Sequence, residues 1–304
     1  MDLGTVYNTM LQLGLLVLLG YVLRRRSLLS HQGLRELSSL AVNITCPLLV
    51  IASVARMQTA DTQTVLYFFG LGAVIYAMLP FIARGFTALL HVTDGERGAY
   101  QFMFIFANTE LLGFPIVQAF FGDDAIFYTA MIHMPFDLLV YSYGVRLMSG
   151  EDTPLRLRHL WNPGFVLTVF ALALYLSGLH LPMLLSDACY LVGNITTPVS
   201  MLILGANLAE IALRRIFTER RLYAMTVVRL AVIPAIIYSV LTATGLFSPM
   251  LVGTATVTFG MPVGSMLVMF ANEYDNHTEL ATQAVSLTTI CSLLTIPIMA
   301  RLFC

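Results

Sequence analysis

The stretch FANTELLGFPIV, residues 106–117, places a carboxylate and two helix-disrupting residues inside an otherwise apolar segment. Gly113 and Pro115 both disfavour a helix interior, because proline lacks the N–H that a helical turn needs and glycine is conformationally free. A related stretch, FGMPVGS at 259–265, repeats the Gly-x-Pro arrangement near the other end of the chain. These two stretches predict two interrupted helices.

The composition around the two breaks is that of a membrane protein. Of 304 residues, 58% are hydrophobic and 11% are charged, and the mean hydropathy is +0.82. About a quarter of the residues of a soluble domain are charged. All 16 basic residues are arginines and the net charge is −1, which leaves no basic patch for nucleic acid. The four cysteines are scattered, so we predict neither a disulfide framework nor a metal site.

Ten apolar segments are long enough to cross a bilayer, which needs about 20 mostly apolar residues per helix. They lie near residues 4–23, 36–55, 63–83, 99–121, 125–145, 163–181, 187–213, 222–245, 250–272 and 279–303. The predicted fold class is therefore an all-α polytopic membrane protein with ten transmembrane helices. The first segment has no small-residue cleavage site, so we expect it to be retained and not removed as a signal peptide.

Arginine placement predicts the orientation. Thirteen of the 16 arginines fall in loops on one side of the predicted spans, and cytoplasmic loops carry the positive excess. Both termini are then expected outside, in a multi-pass protein of the cell membrane. The loop at 272–279 disagrees because it is acidic and lacks arginine, but acidic residues weigh little in this rule.

Short motifs recur at a nearly constant displacement along the chain. NITCP at 43–47 returns as NITTP at 194–198, 151 residues later, and the Gly-x-Pro break of span four returns in span nine after 147 residues. We predict two five-helix repeats, 1–152 and 153–304, the second inverted because each has an odd number of spans. Inverted repeats with interrupted helices are typical of secondary transporters, although duplicated membrane folds also occur in channels.

Broken helices at mid-membrane offer polar groups where lipid offers none. We expect Gly113 and Gly260 to end the first half-helices in a left-handed conformation, with Pro115 and Pro262 starting the second halves. Crossed at their breaks, the two spans would point positive dipole ends at the bilayer centre, an anion site suited to a carboxylate. The first halves would offer bare carbonyls, suited to a proton donor or a cation. Simple kinks in packed helices are the alternative.

At these residues the sequence resembles the auxin efflux carrier family, which includes plant PIN-type carriers and bacterial organic-anion transporters. NTELLGFP (108–115) is similar to the family's crossover, PVSMLILGANLAE (198–210) to its seventh-span segment, and 260–298 to its C-terminal crossover and last span. The resemblance implies a scaffold of spans 1, 2, 6 and 7 and a mobile crossover domain of spans 3–5 and 8–10. It also implies elevator-type alternating access, a homodimer and an organic acid as substrate.

The same resemblance assigns a substrate site. Asn108 and Thr109 match the polar pair that contacts the substrate carboxylate. The matching crossover positions also include Gly113, Pro115, Gly260, Pro262 and Ser265. Glu110 departs from the family pattern, which has glycine or an apolar residue there, and this departure argues against uncoupled anion transport.

Ionisable residues inside the predicted spans are candidates for ion coupling, because intramembrane charges are costly. Glu110 could carry a proton along with an organic anion, or act as a structural carboxyl that accepts hydrogen bonds from freed backbone N–H groups. His133 and Asp137 are four residues apart, hence on one helix face, and either relay protons or satisfy each other. We expect Arg229, inside span eight, to snorkel to the interface, with attraction of an anionic substrate as the alternative.

Two asparagines each precede a proline by one turn, Asn43 before Pro47 and Asn194 before Pro198. We expect their amides to bond the carbonyls that the prolines leave free and so to brace the fold, although either could line the cavity.

The predicted function is secondary transport of a small organic anion, an auxin-like monocarboxylate or a dicarboxylate such as malonate or malate, without a cofactor. A nucleotide-binding P-loop needs a lysine, which the chain lacks, and hydrolase and metalloprotease motifs are absent, so we expect neither an ATP-driven pump nor an enzyme. A sodium-coupled carrier of the bile-acid-symporter type is the alternative within transport. A transport-dead receptor of the same fold and a channel are less favoured.

Overall fold

The computed structural model describes residues 3–57, 62–150, 163–210 and 219–303. The helix Asp124–Leu139, named α5 below, continues through a wider π turn, Val140–Gly144, into a last turn that ends at Ser149. In chain order the helices of these residues are α1 (Leu3–Arg25), α2 (His31–Arg56), α3 (Thr62–Leu89), α4a (Asp94–Ile105), α4b (Thr109–Phe121), α5 (Asp124–Leu139), α6 (Pro163–Ser177), α7 (Met183–Glu210), α8 (Arg220–Thr244), α9a (Pro249–Phe259), α9b (Met266–Glu273) and α10 (Thr278–Phe303).

The helices fall where the apolar segments predict them. Each of the ten segments coincides with one helix or with a pair of half-helices, and the ends differ by six residues or fewer. By length and composition α2, α3, α7, α8 and α10 can each cross a membrane, whereas α4b, α6 and α9a are apolar but shorter. The described residues are therefore all-helical and compatible with a polytopic membrane protein, while the count of ten spans stays a prediction.

The outer surface of the bundle is apolar along whole helices. On α1 the side chains of Leu11, Leu15 and Leu18 are 58–67% exposed, and on α7 Leu184 is 81% exposed. Large exposed apolar surfaces mark contact with a partner or a membrane. Their arrangement along these helices is the one expected of a lipid-facing surface.

α1 packs along α7 through two glycines. A Cβ atom on Gly20 would collide with the backbone of Leu202, and one on Gly205 with the carbonyl of Val17. Small residues let helix backbones approach closely where no hydrophobic effect drives them together. α2 packs on α6 and α7, and α3 packs on α4a and α5; these two groups of helices meet where α2 contacts α5.

The interruptions of α4 and α9 cross each other. Ala107 and Val263 form an isolated antiparallel bridge. The Asn108 N–H donates to the Pro262 carbonyl at 2.8 Å, and the Gly264 N–H donates to the Phe106 carbonyl at 3.0 Å. Each break therefore satisfies backbone groups of the other, as an interruption at membrane depth requires.

The break in α4 precedes Gly113, so the prediction that Gly113 ends the first half-helix is wrong. Gly113 has φ −65° and ψ −51°, which is right-handed helical backbone. Pro115 lacks the N–H that would normally bond the carbonyl four residues earlier. The chain absorbs this loss in a π turn over Thr109–Gly113, with the Phe114 N–H bonded to the Thr109 carbonyl. The second half-helix therefore begins at Thr109, before the proline.

The break in α9 also differs from its prediction. Gly260 has φ −86° and ψ 3°, so it is not left-handed, and α9b begins only after Ser265. Pro262 thus lies within the extended break, where its carbonyl accepts the bond from α4, and does not start the second half-helix. Gly260 lies against Met299, since a Cβ atom there would be 2.6 Å from the Met299 sulfur and would displace the end of that side chain.

Candidate functional site

The crossing places two helix N-termini at one point in the core, together with predicted site residues. The N–H groups of Glu110 and Leu111, at the start of α4b, donate no hydrogen bond within the described chain, and the same is true of Ser265 and Met266 at α9b. Unsatisfied N–H groups and the positive end of the helix dipole make each N-terminus attractive to an anion. The crossing therefore has two free helix N-termini, although the half-helices start at other residues, and the anion site itself stays a prediction.

Asn108 and Thr109 lie at the first of these N-termini. The Asn108 carbonyl accepts the N–H groups of Leu112 and Gly113 at 3.3 and 3.2 Å and so starts α4b. Thr109 is 1% exposed, and its hydroxyl has no hydrogen-bond partner among the described residues. Gly113 packs over this hydroxyl-bearing side chain, since a Cβ atom would lie 3.1 Å from Thr109 Cγ2. Thr109 thus presents a buried hydroxyl at the crossing, next to that of Tyr76.

A buried arginine lies at the same crossing, so the prediction that Arg229 of α8 snorkels to the interface is wrong. Arg229 is 0% exposed. Its Nη1 donates to the Phe104 carbonyl at 2.8 Å, in the last turn of α4a, and its Nε donates to the Met261 carbonyl at 3.1 Å, in the break of α9. One guanidinium therefore binds the carbonyl ends of both first half-helices.

The third nitrogen of this guanidinium is unused. Arg229 Nη2 is buried and has no hydrogen-bond partner in the described part of the chain. No carboxylate there forms an ion pair with Arg229 either. A buried charge normally requires a partner. In the described residues, the positive charge of the guanidinium is balanced only by the dipoles of two carbonyls. Its Nη2 remains a free hydrogen-bond donor among these residues.

Tyr76 of α3 is a site residue that no sequence pattern selects. Its hydroxyl is buried next to the Thr109 hydroxyl and has no other hydrogen-bond partner in the described residues. Arg229 is the charged group that lies near it. Its ring packs against Phe136 and Phe259 with centroids 5.8 and 5.2 Å away, which fixes the hydroxyl at the crossing. A tyrosine in an apolar segment rich in aromatic residues carries no local signal of this position.

A cluster of three ionisable residues lies beside the crossing. His133 Nε2 is 3.6 Å from Glu110 Oε1 and 3.8 Å from Asp137 Oδ1. The side chains of His133 and Asp137 are 4% and 8% exposed, and that of Glu110 is 23% exposed. The structure thus brings together the three residues that the sequence selected separately.

This geometry argues against two of the structural alternatives. The distances exceed a normal hydrogen bond, and neither ring nitrogen of His133 has a hydrogen-bond partner in the described residues. His133 lies within ion-pair distance of both Glu110 and Asp137, so His133 and Asp137 are not an isolated pair. Nor does the Glu110 carboxylate accept a backbone N–H within this part of the chain.

The cluster has two carboxyl groups for one imidazole. The oxygen and nitrogen atoms of Glu110, His133 and Asp137 all lie within 4.8 Å of one another. Cys46 of α2 and Tyr141 of α5 also face Glu110. Two carboxylates in an apolar interior are stable only if protons, the imidazolium or a bound cation offset their charge. The spacing admits a proton or a metal ion, although the sequence predicts no metal site.

A small pocket borders the cluster on one side. It lies between α2, α4b, α5 and α6, and its wall includes all three ionisable residues together with Cys46 and Pro47. The Cys46 thiol donates to the Glu110 carbonyl at 3.6 Å, which links α2 to the start of α4b. Glu110 is thus the member of the cluster with most access to the pocket.

The two motif asparagines have different partners. Asn43 Nδ2 donates to the Ser39 carbonyl at 2.9 Å, in its own helix, so it does not bond the carbonyl that Pro47 leaves free. Asn194 Oδ1 accepts a hydrogen bond of 3.2 Å from Gln118 Nε2 of α4b. The prediction of a symmetric brace is wrong, because only Asn194 connects two helices.

Gln118 extends this connection into a small polar network. Thr197 Oγ1 donates to Gln118 Oε1 at 2.7 Å, and Gln118 Nε2 also donates to Asp123 Oδ1 at 2.8 Å. Pro198 follows directly in the first turn of the Thr196–Glu210 part of α7. No sequence pattern predicts the Gln118 contacts, which join α4b to α7 by hydrogen bonds.

The chain is similar in sequence to known membrane transport proteins. The chain matches the sequence profile of a family described as Membrane transport protein over residues 5–157 and 152–300. A protein of Methanothermobacter thermautotrophicus named Uncharacterized transporter is 23% identical over 297 residues, or 96% of each chain. A transporter of Methanocaldococcus jannaschii, also named as uncharacterized, is 23% identical over 298 residues, 93% of this chain and 94% of the relative.

Proposed function

The chain belongs to the membrane transport protein family of PIN-like auxin efflux carriers, and on that premise we propose that it is a secondary transporter of a small organic anion. The substrate class is a mono- or dicarboxylate. The observation that carries this proposal is Arg229, a fully buried guanidinium at the crossing of two broken helices, with no acidic partner in the described residues. Such a charge is stabilised when an anion binds beside it.

Several donors without acceptors support the same substrate class. Arg229 Nη2 is buried and unpartnered in the described residues, and the buried hydroxyls of Thr109 and Tyr76 lie next to each other with no other partner there. The free N–H groups at the starts of α4b and α9b add positive dipole ends. A carboxylate supplies acceptors only and carries the opposite charge, so it complements this set of groups. A cationic or apolar substrate would leave these donors unsatisfied.

Proton coupling is the second part of the proposal. Thr109 and Glu110 are consecutive residues, yet Thr109 lies beside Tyr76 whereas Glu110 lies 3.6 Å from His133. A proton held by the cluster of Glu110, His133 and Asp137 is therefore one residue away from the proposed anion site. An anion bound there favours protonation of the cluster by simple electrostatics, so proton and anion would move together.

The conformational mechanism follows the family. In this proposal α1, α2, α6 and α7 form a scaffold, and the helices of spans 3–5 and 8–10 carry the crossing across the membrane as an elevator. Two copies form a homodimer in the cell membrane, with both termini outside. The Gln118 contacts to Asn194 and Thr197 would then join the moving and fixed parts in the conformation described here.

Proteoliposome flux tests the proposal. The purified protein is reconstituted, and uptake of malonate, malate and indole-3-acetate is measured with and without an inward proton gradient. We expect saturable uptake of at least one acid, stimulated by the gradient. Arg229→Gln should abolish it, whereas Arg97→Gln should not, because Arg97 is half-exposed and pairs only with Asp94. Absence of uptake and exchange for every acid at every pH would reject the function.

A further inference from the structure

We infer that Arg229 is the resident cation of the crossing: its guanidinium fills the carbonyl site that a coupling Na⁺ ion would need, so this carrier couples without Na⁺. The inference deepens the proposed function by assigning its ion specificity. Only the flux test of the inference depends on the proposed function, because the main test measures the stability of the folded protein.

The site that Arg229 fills has the chemistry of a sodium site. In transporters with broken helices, unwound backbone carbonyls and the C-terminal ends of half-helices coordinate Na⁺ or a proton. The carbonyls of Phe104 and Met261 are of this kind, since one lies in the last turn of α4a and the other in the break after α9a. Both half-helices also direct the negative ends of their dipoles there.

The guanidinium meets the need of this site without a metal ion. Its planar fork presents several donors in fixed directions, so one side chain can reach two carbonyls on different helices. The observed distances of 2.8 and 3.1 Å are ordinary hydrogen bonds. Arginine stays protonated in proteins, so the positive charge is permanent. A second cation at these carbonyls would be repelled by it.

The position of Arg229 is fixed by the helix that carries it. α8 contains a π turn at Val228–Val232, directly before Pro234 in the next helical turn. A π turn inserts one extra residue and rotates the side chains that follow it. Arg229 lies within this turn and is completely buried, so its charge cannot reach solvent at either membrane surface.

The acidic residues nearby do not contribute to this carbonyl site. Glu110 and Asp137 are held in the cluster with His133, and no carboxylate of the described chain forms an ion pair with Arg229. A sodium ion at the crossing would therefore find two carbonyls already bonded and no carboxylate. The crossing therefore lacks the ligands that the sodium-coupled carrier, the alternative that the sequence leaves open, would require.

Thermal unfolding in detergent tests the inference without a substrate. The melting temperature of the wild type is measured in NaCl and in choline chloride at equal ionic strength. We expect no difference. Arg229→Ala uncovers the two carbonyls, so it should lower the melting temperature, and Na⁺ or millimolar guanidinium should restore part of the loss. Arg97→Ala is the matched control and should respond to neither cation.

Two results would overturn the inference. One is a wild type that Na⁺ stabilises relative to choline, and the other is an Arg229→Ala variant as stable as the wild type. If Arg229→Ala does not fold, Arg229→Lys takes its place, since one ammonium keeps the charge but loses the fork and should be less stable. Flux that requires Na⁺ would also overturn it, whereas absence of all flux would reject the transport proposal alone.

Discussion

Thr196 donates a hydrogen bond of 2.9 Å to Thr45, its counterpart in the other copy of the Asn-Ile-Thr motif. Both residues are buried, at 0% and 1% exposure, and they are 151 residues apart, the displacement that separates the two motifs. A two-fold axis that exchanged two repeats would place equivalent residues against each other wherever it crosses the chain. The contact is one that such an axis would produce where α2 meets α7, and the inverted repeat stays a prediction.

The first prediction concerns this pair. Thr45→Val and Thr196→Val should each destabilise the protein by about 1 kcal/mol, because each removes a buried hydrogen bond. The double variant should lose less than the sum of the two, since no unpaired hydroxyl remains. Denaturant unfolding in detergent measures the three losses. Thr129→Val and Thr226→Val are the control pair, since each hydroxyl bonds a carbonyl of its own helix, and their losses should add.

The second prediction is that Glu110→Gln uncouples transport from the proton gradient. The amide cannot carry a proton, whereas the neighbouring anion site at Thr109 and Arg229 is kept. Stimulation of uptake by an inward proton gradient should disappear, with the apparent affinity for the organic acid changed by less than tenfold. Proteoliposome uptake measures both quantities. Glu36→Gln changes a surface carboxylate bonded to Gln32 and should leave the stimulation intact. Unchanged stimulation in Glu110→Gln would remove Glu110 from the coupling.

The third prediction tests the electrostatics of the cluster. His133→Gln leaves Glu110 and Asp137 facing each other without an imidazole, so it should destabilise the protein by about 3 kcal/mol, as for a broken buried ion pair. Adding Glu110→Gln removes one of the two carboxylates and should recover part of the loss. Unfolding of the wild type with and without a chelator shows which ion balances the charge of the two carboxylates. If protons do, the chelator should not change the stability. A marked fall in stability would indicate a bound metal ion instead.

The fourth prediction concerns the contact between α4b and α7. Gln118→Leu removes the bonds to Asn194 and Thr197 that fasten the two helices, each worth about 1 kcal/mol. The conformation described here should become less populated by up to about thirtyfold. Cys46 lines the pocket beside Glu110 and reports this change through its rate of thiol labelling, with the other cysteines replaced by serine. Gln63→Leu, at the start of α3, is the control and should leave the rate unaltered.

The fifth prediction concerns the closeness of the crossing. A Cβ atom on Gly264 would lie 3.1 Å from the Ala107 carbonyl, inside the bridge between the two breaks. Gly264→Ala should therefore destabilise the protein by about 1–3 kcal/mol, as overpacking does. Gly85→Ala, in α3, meets no atom within 4 Å and should be neutral or stabilising, because alanine is the better helix former. Equal effects of the two substitutions would contradict a tight crossing.

The prediction of the helices succeeded because it depends on local properties. The length of an apolar run decides whether a helix can cross a bilayer, and arginine loops and prolines mark where it stops. The positions of the breaks were less accurate. Pro115 was expected to start a half-helix, but its missing N–H is absorbed by the π turn at Thr109–Gly113. The chain breaks earlier because Phe106 and Asn108 find backbone partners in the other break.

By itself the sequence determined an all-helical membrane chain, its two interrupted helices, and three ionisable residues unusual enough to select. Only the tertiary structure decided which of these residues meet. Arg229 reaches Phe104, 125 residues away, and Glu110 comes within 3.6 Å of His133 on another helix. Such contacts depend on how helices pack and cross, which no local pattern encodes. The buried guanidinium at the crossing could therefore be recognised only after the two breaks were seen to pair.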